Sequence, residues 1–278
     1  MNATFLRFPG GLTKALTLSY DDGVRQDIRL VEIMNKNGIR GAFHINAGLF
    51  ATGIANPRLA SDEALQTYAK GNQEISLHSF THPHLETLPK ATAALEVLRD
   101  KKEVERLTGT VIRGMSYPMG SYDQDVIDIL KNTGIAYCRT TKATKNFNLP
   151  QNWLTLDPTC HHNDPALMSL AKDFVEKTGS RKPCLFYLWG HSYEFDRDKN
   201  WNVIEEFCEY MGGREDIWYA TSIELRDYCD AFDHLVWSID LRTVHNPSCI
   251  PVWVQRNIEN VTSGIIKIDA GETLHFEK

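Results

Sequence analysis

The chain has 278 residues, of which 42% are hydrophobic and 10% are aromatic, so it can bury the core of one large domain or of two unequal ones. Its formal net charge is −6 and its Lys and Arg residues are scattered, which excludes the continuous basic surface that binds a nucleic-acid backbone. No segment is apolar over the length needed to cross a bilayer, and the N-terminus lacks the pattern of a secretory signal. We therefore expect a globular protein without a nucleic-acid or membrane partner, cytoplasmic as the sequence is given, with secretion as the alternative if a signal peptide was trimmed. The oligomeric state stays open.

Strand-like and helix-like segments alternate through the first 232 residues. The first unit is a β-rich run, ALTLSY, followed by apolar residues at helical spacing up to Gly38 and by a second strand, GAFHIN. The rhythm continues with the strand-like runs EISLHS, VIRGMSYP, IAYCRT, CLFYLWGH and IWYATS, with amphipathic segments between most of them. Six or seven such units without a Gly-rich phosphate loop favour a parallel α/β barrel over an open doubly wound sheet.

The pattern changes at about residue 233, where helical spacing stops. Short strand-like runs follow, separated by Asn, Pro and Gly turns: LVWSIDL, PVWVQR, IIKIDA and TLHFE. We therefore predict an α/β barrel domain over residues 1–232 and a small antiparallel β appendage over residues 233–278. A segment of fewer than about fifty residues without a disulfide seldom folds alone, so we expect the appendage to pack on the barrel.

Polar residues directly after the predicted strands are the candidates for a site, because parallel α/β barrels carry their active sites at the carboxyl ends of the strands. The main candidates are Asp21, Asp22, His78, His82 and His191. Two adjacent carboxylates repel each other, and a divalent cation on Asp22 would keep that group ionised while Asp21 remains able to accept a proton. A simple turn is the alternative explanation for an Asp-Asp-Gly sequence.

One carboxylate and two imidazoles form a common ligand set for catalytic zinc, in which one position stays open. Asp22, His78 and His82 offer this set. An extended chain would hold the two histidines roughly 13 Å apart, so the chain between them must turn if they share an ion. The set predicts one divalent ion, with zinc as the first choice and cobalt, nickel or manganese as alternatives.

The segments SYDDG, HSFTH and SYPMGSYD occur in this order along the chain. Together they resemble the first three motifs of the polysaccharide deacetylase family, which contains the NodB-like carbohydrate esterases. The resemblance implies a distorted (β/α) barrel, here with seven strands, that holds a divalent ion and hydrolyses an acetamide or acetyl ester of a sugar. It also implies these roles: metal ligands at Asp22, His78 and His82, catalytic base at Asp21, and general acid at His191.

The third motif departs from the family pattern at two positions. Ser116 stands where the family has an arginine that orients the base, and Met119 stands where it has a tyrosine. The sequence leaves open whether Arg113, three residues before Ser116, reaches Asp21. A backbone N–H near Tyr117 is expected to bind the oxyanion of the reaction.

Four residues are candidates for substrate contacts, namely Tyr117, His161, His162 and Glu194. The two adjacent histidines lie in the loop DPTCHHNDP and are expected to contact either substrate or His191. The predicted substrate is an N- or O-acetylated carbohydrate. Two alternatives remain: a metal-dependent amidohydrolase of the same superfamily that acts on a small non-sugar amide, and a carbohydrate-binding relative without catalysis.

Overall fold

The computed structural model describes residues 3–54, 56–178, 181–258 and 261–276 of the chain. The strands are β1 (Ala3–Arg7), β2 (Lys14–Asp21), β3 (Gly41–Ile45), β4 (Glu74–Leu77), β5 (Gly114–Ser116), β6 (Tyr137–Arg139), β7 (Cys160–His161), β8 (Cys184–Gly190), β9 (Ile217–Tyr219), β10 (Val236–Trp237), β11 (Thr243–His245), β12 (Val252–Ile258), β13 (Val261–Ile268) and β14 (Thr273–His275). The α-helices are α1 (Asp27–Lys36), α2 (Ser61–Ala69), α3 (Lys90–Thr108), α4 (Gln124–Asn132), α5 (Leu167–Glu176), α6 (Tyr193–Asp198), α7 (Trp201–Met211) and α8 (Ser222–Asp233). Within these ranges no helix combines the length and apolar character required to cross a membrane.

The central sheet is parallel and has the strand order β6-β5-β4-β3-β2-β8-β7. Every residue of β2 is buried. One edge of β2 pairs with β8, while the other pairs with β9 near its start and with β3 near its end. This position at the centre of the sheet brings the end of β2, where Asp21 lies, next to the ends of β3 and β8.

The sheet curls into a distorted barrel that the segment 156–161 closes. Leu156 donates its N–H to the carbonyl of Cys138 at 3.0 Å and accepts the N–H of Thr140 at 2.9 Å, so it pairs with the β6 edge. A few residues later the same segment forms β7 and pairs with β8. The predicted seven-stranded distorted (β/α) barrel is thus confirmed, and β9 is an additional short strand beside β2.

Helix α4 shows how the sequence pattern produces these elements. The Asp123 carboxylate accepts the N–H of Val126 at 2.9 Å and caps the first turn. Val126 and Leu130, four residues apart, lie on the buried face, as helical spacing requires. The helix stops before Gly134, which has a φ of 76°. The amphipathic segment between the runs VIRGMSYP and IAYCRT is thus a helix, as expected.

The C-terminal residues form two small antiparallel sheets, with the orders β1-β12-β13 and β10-β11-β14. Strand β1, from the other end of the chain, was not predicted from the sequence. Tyr228 of α8 links the barrel to the first of these sheets, because its hydroxyl donates to the Arg7 carbonyl at 2.7 Å and accepts the Trp253 N–H at 2.9 Å. The predicted antiparallel β appendage is confirmed, and it contacts α8; the domain boundary at residue 232 stays a prediction.

Candidate active site

The two adjacent aspartates lie at the carboxyl end of β2 and have different partners. Asp21 completes the strand, whereas Asp22 has a φ of 82° and Gly23 a φ of 64°, so the backbone turns sharply after Asp21. At Gly23 a Cβ atom would approach Ile45 Cγ2 to 2.9 Å, which favours glycine there. The Asp22 carboxylate is 3.2 Å from the guanidinium of Arg58, a contact that the sequence analysis missed.

His78 and His82 follow β4 and meet through a tight turn. Ser79 and His82 both have a φ of 62°, and these two left-handed residues reverse the chain. The Nε2 atoms of the two histidines lie 3.1 Å apart, and His82 Nε2 is 3.8 Å from Asp22 Oδ1. The turn that a shared ion would require is therefore present.

The protonation of His78 favours metal binding at the side of the ring that faces Asp22. Its Nδ1 lies 3.0 Å from the carbonyl of Ser116, so this nitrogen carries the proton and donates it. Burial lowers the pKa of His78 to about 4, which makes the ring neutral at pH 7. Its Nε2 then presents a lone pair. Ligand atoms of Asp22, His78 and His82 lie within 4.8 Å of one another, and this donor set fits a divalent ion.

Asp21 is a buried carboxylate with two strong partners. Ser116 Oγ donates to one carboxylate oxygen at 2.9 Å, and the guanidinium of Arg139 donates to the other. Burial is the largest single influence on the pKa of Asp21 and raises it, but Arg139 and the neighbouring histidines together lower it by more, so the pKa lies well below its usual range. Asp21 is therefore ionised at neutral pH.

Arg139, not Arg113, provides the arginine beside Asp21, the candidate base. Arg113 forms an ion pair with Asp227 and does not contact Asp21. Arg139 is fully buried at the end of β6, with its guanidinium 4.5 Å from the ring centre of Trp189. A charged residue that ends the apolar run IAYC was the available sequence signal, because it places the charge at the carboxyl end of a barrel strand.

His191 follows β8 and lies between two carboxylates. Its Nε2 is 3.9 Å from Asp21 Oδ2, and its Nδ1 is 3.7 Å from Glu194 Oε1. Burial lowers the pKa of His191, but Glu194 and Asp21 raise it by more, so the net pKa is above its ordinary value. The imidazolium form is therefore favoured next to the candidate base.

The remaining sequence candidates fall into two groups. Glu194 Oε2 lies 3.0 Å from His161 Nε2 and 3.1 Å from His162 Nε2, so the structure brings these three residues together near His191. Tyr117 is buried instead: its hydroxyl donates to the Leu154 carbonyl at 2.8 Å, and its N–H donates to the Arg139 carbonyl at 3.0 Å. The Tyr117 amide itself is therefore already bonded, and an oxyanion contact from a backbone N–H near Tyr117 stays a prediction.

Comparison with known proteins gives a family-model match and a shared fold. Residues 9–138 match the family model described as polysaccharide deacetylase. No curated protein matches the chain. A structure assigned as a polysaccharide deacetylase from Mycobacterium smegmatis has a TM-score of 0.60 and 16% identity, and the match covers 83% of this chain and 95% of that one.

Two further solved structures share the fold. A family 4 carbohydrate esterase from Streptomyces lividans, in complex with acetate, has a TM-score of 0.51 and 14% identity over 75% of this chain and 93% of its own. The chitin deacetylase of Colletotrichum lindemuthianum has a TM-score of 0.51 and 19% identity over 77% of this chain and 88% of its own. At these identities the structures establish a common fold. Residues 9–138, which match the polysaccharide deacetylase family model, contain both aspartates and the two histidines of the candidate site.

Proposed function

We propose that this chain is a metal-dependent hydrolase that removes N- or O-linked acetyl groups from a carbohydrate. The observation that carries the proposal is the position of an ionised, buried Asp21 directly beside the donor set of Asp22, His78 and His82. The choice of an acetylated sugar is supported by the relatives of the same fold, among them a carbohydrate esterase and a chitin deacetylase.

Asp22, His78 and His82 would hold one divalent ion, with zinc as the proposed metal because two imidazoles and one carboxylate suit it and leave a position open. Bound there, such an ion would polarise the substrate carbonyl and increase the acidity of a water molecule. Arg58, 3.2 Å from the Asp22 carboxylate, restricts the orientation of this ligand.

Asp21 is the proposed general base, and it accepts a proton from the attacking water. Arg139 and Ser116 each occupy one of its oxygens, so the carboxylate cannot rotate away from the neighbouring histidines. The charge of Arg139 also prevents protonation of Asp21 before the reaction begins, because it holds the pKa of that carboxylate well below its usual range.

His191 is the proposed general acid, and it donates a proton to the departing amine or alkoxide. Its ring lies on the Asp21 side of the site, and Asp21 and Glu194 both favour its protonated form. A base that is ionised and an acid that is protonated at the same pH are the two states that such a hydrolysis requires.

The proposal is tested by acetate release from chitin oligosaccharides and acetylated xylan, with the zinc-loaded chain, with the chain after chelation, and with His82→Ala. We expect turnover with zinc, loss after chelation, and little turnover by the variant. Turnover that survives complete removal of metal would contradict the mechanism. Hydrolysis of small cyclic or linear amides in place of the sugars would identify the amidohydrolase alternative, and sugar binding without acetate release would identify the non-catalytic one.

A further inference from the structure

We propose that His161 and His162 are positioning residues that hold the carboxylate of Glu194 in place, ionised, as the partner of His191. The inference rests on the proposed function in one respect, since His191 is the general acid there. It gives the two adjacent histidines a role inside the protein, whereas the sequence led us to expect a contact with either substrate or His191.

The contacts of Glu194 divide between its two oxygens. Oε2 receives both histidines, with His161 Nε2 at 3.0 Å and His162 Nε2 at 3.1 Å. Oε1 lies on the other side, 3.7 Å from His191 Nδ1 and 3.5 Å from the exposed guanidinium of Arg197. The two histidines therefore hold Oε2 in position, and Oε1 faces His191.

The hydrogen bonding of His161 distinguishes this cluster from the candidate metal site. The backbone N–H of Asn163 donates to His161 Nδ1 at 3.1 Å, so Nδ1 must present its lone pair. A neutral His161 then carries its proton on Nε2, the nitrogen that is 3.0 Å from Glu194. In His78 the arrangement is reversed, because Nδ1 donates to Ser116 and Nε2 is open to a metal. The cluster around Glu194 thus suits a carboxylate held by N–H groups.

His162 is held more rigidly than its neighbour. Its ring is fully buried and stacks between Tyr20 and Phe195, with ring centres 5.7 Å and 4.1 Å away. The absence of a side chain at Gly190 makes room for it, since a Cβ at that position would lie 2.0 Å from His162 Nδ1. Burial lowers the pKa of His162 to about 4, so the ring is neutral at pH 7 and adds no charge of its own.

The expected consequence is a change in the proton affinity of His191. His161, His162 and Arg197 together stabilise the ionised form of Glu194, whose pKa would otherwise be raised by burial. Ionised Glu194, together with Asp21 and the charge of Asp22, stabilises the imidazolium of His191. Removing one N–H donor weakens the hold on Glu194, and the pKa of His191 should fall.

The test is an NMR titration of His191 in histidine-labelled, zinc-free protein without substrate. We expect His161→Leu to lower the pKa of His191 by roughly half a unit to one unit, and His161→Gln, which keeps an N–H near the position of Nε2, to restore most of it. His234→Leu is the control, since this exposed histidine pairs with Asp230 on α8, away from the cluster. In active enzyme the basic limb of kcat should shift in the same direction.

Two outcomes would overturn the inference. One is an unchanged titration of His191 in His161→Leu and in Gly190→Ala, which displaces the His162 ring. The other is a second equivalent of zinc that is lost in His161→Leu, because the cluster would then be a metal site. The titration needs no substrate, so a chain that never releases acetate but shows the shift would refute the proposed function and leave this inference standing.

Discussion

Asp21 and Asp22 are neighbours in the chain, but their surroundings assign them different chemistry. Asp21 is paired with a buried arginine and a serine hydroxyl, and Asp22 turns towards the two histidines and Arg58. The positive φ at Asp22 separates the two carboxylates, which is why adjacent like charges can share one site. Substitutions of single residues therefore test the proposed mechanism most directly.

Substitution of each aspartate should produce a different defect. Asp22→Asn replaces an anionic ligand with a neutral one, so we expect weaker zinc binding and activity that excess zinc partly restores. Asp21→Asn should keep the ion but lose the base, a deficit of about 10²- to 10⁴-fold in kcat that added zinc does not repair. Turnover measured during zinc titration of both variants separates the two roles. Rescue of Asp21→Asn by zinc would show that base and ligand have been exchanged.

Arg139 should determine the pH at which the base works. Its charge lowers the pKa of Asp21, so Arg139→Met should raise that pKa and move the acid limb of kcat/KM to higher pH. Because one partner of a buried ion pair is removed, the variant should also lose about 3 to 5 kcal/mol of stability. Arg139→Lys keeps the charge. Its acid limb of kcat/KM and its stability should therefore lie between those of the unchanged chain and those of Arg139→Met.

Arg113→Met is the matched control for this experiment. Arg113 pairs with Asp227, is partly exposed and has no contact with Asp21. Its replacement should leave the pH profile unchanged, because Arg113 does not contact Asp21. The loss of stability should be small, since exposed ion pairs contribute about 1 kcal/mol or less. If the two methionine variants showed the same pH profile, Arg139 would have no special relation to the base.

At the scale of elements, the first turn of α1 is tied to the loop after β8 by a buried acid. Asp27 accepts the hydroxyl of Tyr68, from α2, at 2.7 Å and the hydroxyl of Ser192 at 2.5 Å. Ser192 directly follows His191, so this bond fixes the loop that carries the candidate acid. Burial raises the pKa of Asp27 to about 7, and the charges of Asp22 and Asp21 add to the rise.

The folding stability of the zinc-free protein should therefore contain a component that falls with rising pH. A carboxyl group whose pKa is raised in the folded state stabilises that state fully below about pH 4, and the contribution is lost as pH rises through about 7. The shift of about three units corresponds to at most about 4 kcal/mol. Asp27→Asn can bond both hydroxyls and has no charge to bury.

Urea unfolding between pH 4 and pH 8, with chelator present, measures this component. We expect the difference in unfolding free energy between Asp27→Asn and the unchanged chain to grow in favour of the variant as pH rises. Histidines that titrate in the same range affect both proteins equally and cancel in the difference. Parallel pH dependences for the two proteins would mean that Asp27 is ionised throughout.

At the scale of the whole molecule, strands that lie far apart in the sequence pair with each other beside α8. Strand β1 pairs with β12 in antiparallel register from Ala3 opposite Asn257 to Arg7 opposite Trp253. The hydroxyl of Tyr228 joins both strands to α8. The β appendage and the barrel should therefore unfold in one cooperative transition.

Tyr228→Phe removes the hydroxyl and leaves a buried N–H and a buried carbonyl without this partner. We expect a loss of about 1 to 3 kcal/mol in unfolding free energy, with the single transition preserved. Tyr210→Phe is the control, because no described residue forms a hydrogen bond with the Tyr210 hydroxyl. Denaturant unfolding followed by tryptophan fluorescence measures both. A variant Tyr228→Phe as stable as its control would show that the hydroxyl contacts add nothing.

The sequence by itself determined the barrel and the core of the candidate site. Alternating strand and helix periodicity predicted the parallel units, and polar residues after the strands identified Asp21, Asp22, His78, His82 and His191. These signals are local: residue spacing sets the element, and the end of an element sets the edge of the sheet at which a side chain lies. The Asp-Asp-Gly and His-x-x-x-His motifs each span only a few residues, so the candidate ligands and the candidate base could be identified without knowledge of the fold.

Only the tertiary structure decided which distant residues complete the site. Arg139 is 118 positions from Asp21 in the sequence and donates to its carboxylate, and β1 pairs with β12, which lies near the other end of the chain. Such contacts depend on how the sheet curls: the run IAYC places Arg139 at the carboxyl edge of the sheet, but only the fold shows that its guanidinium reaches Asp21. The same reason applies to Glu194: its three histidines come from two strand ends that meet only when the segment 156–161 closes the barrel.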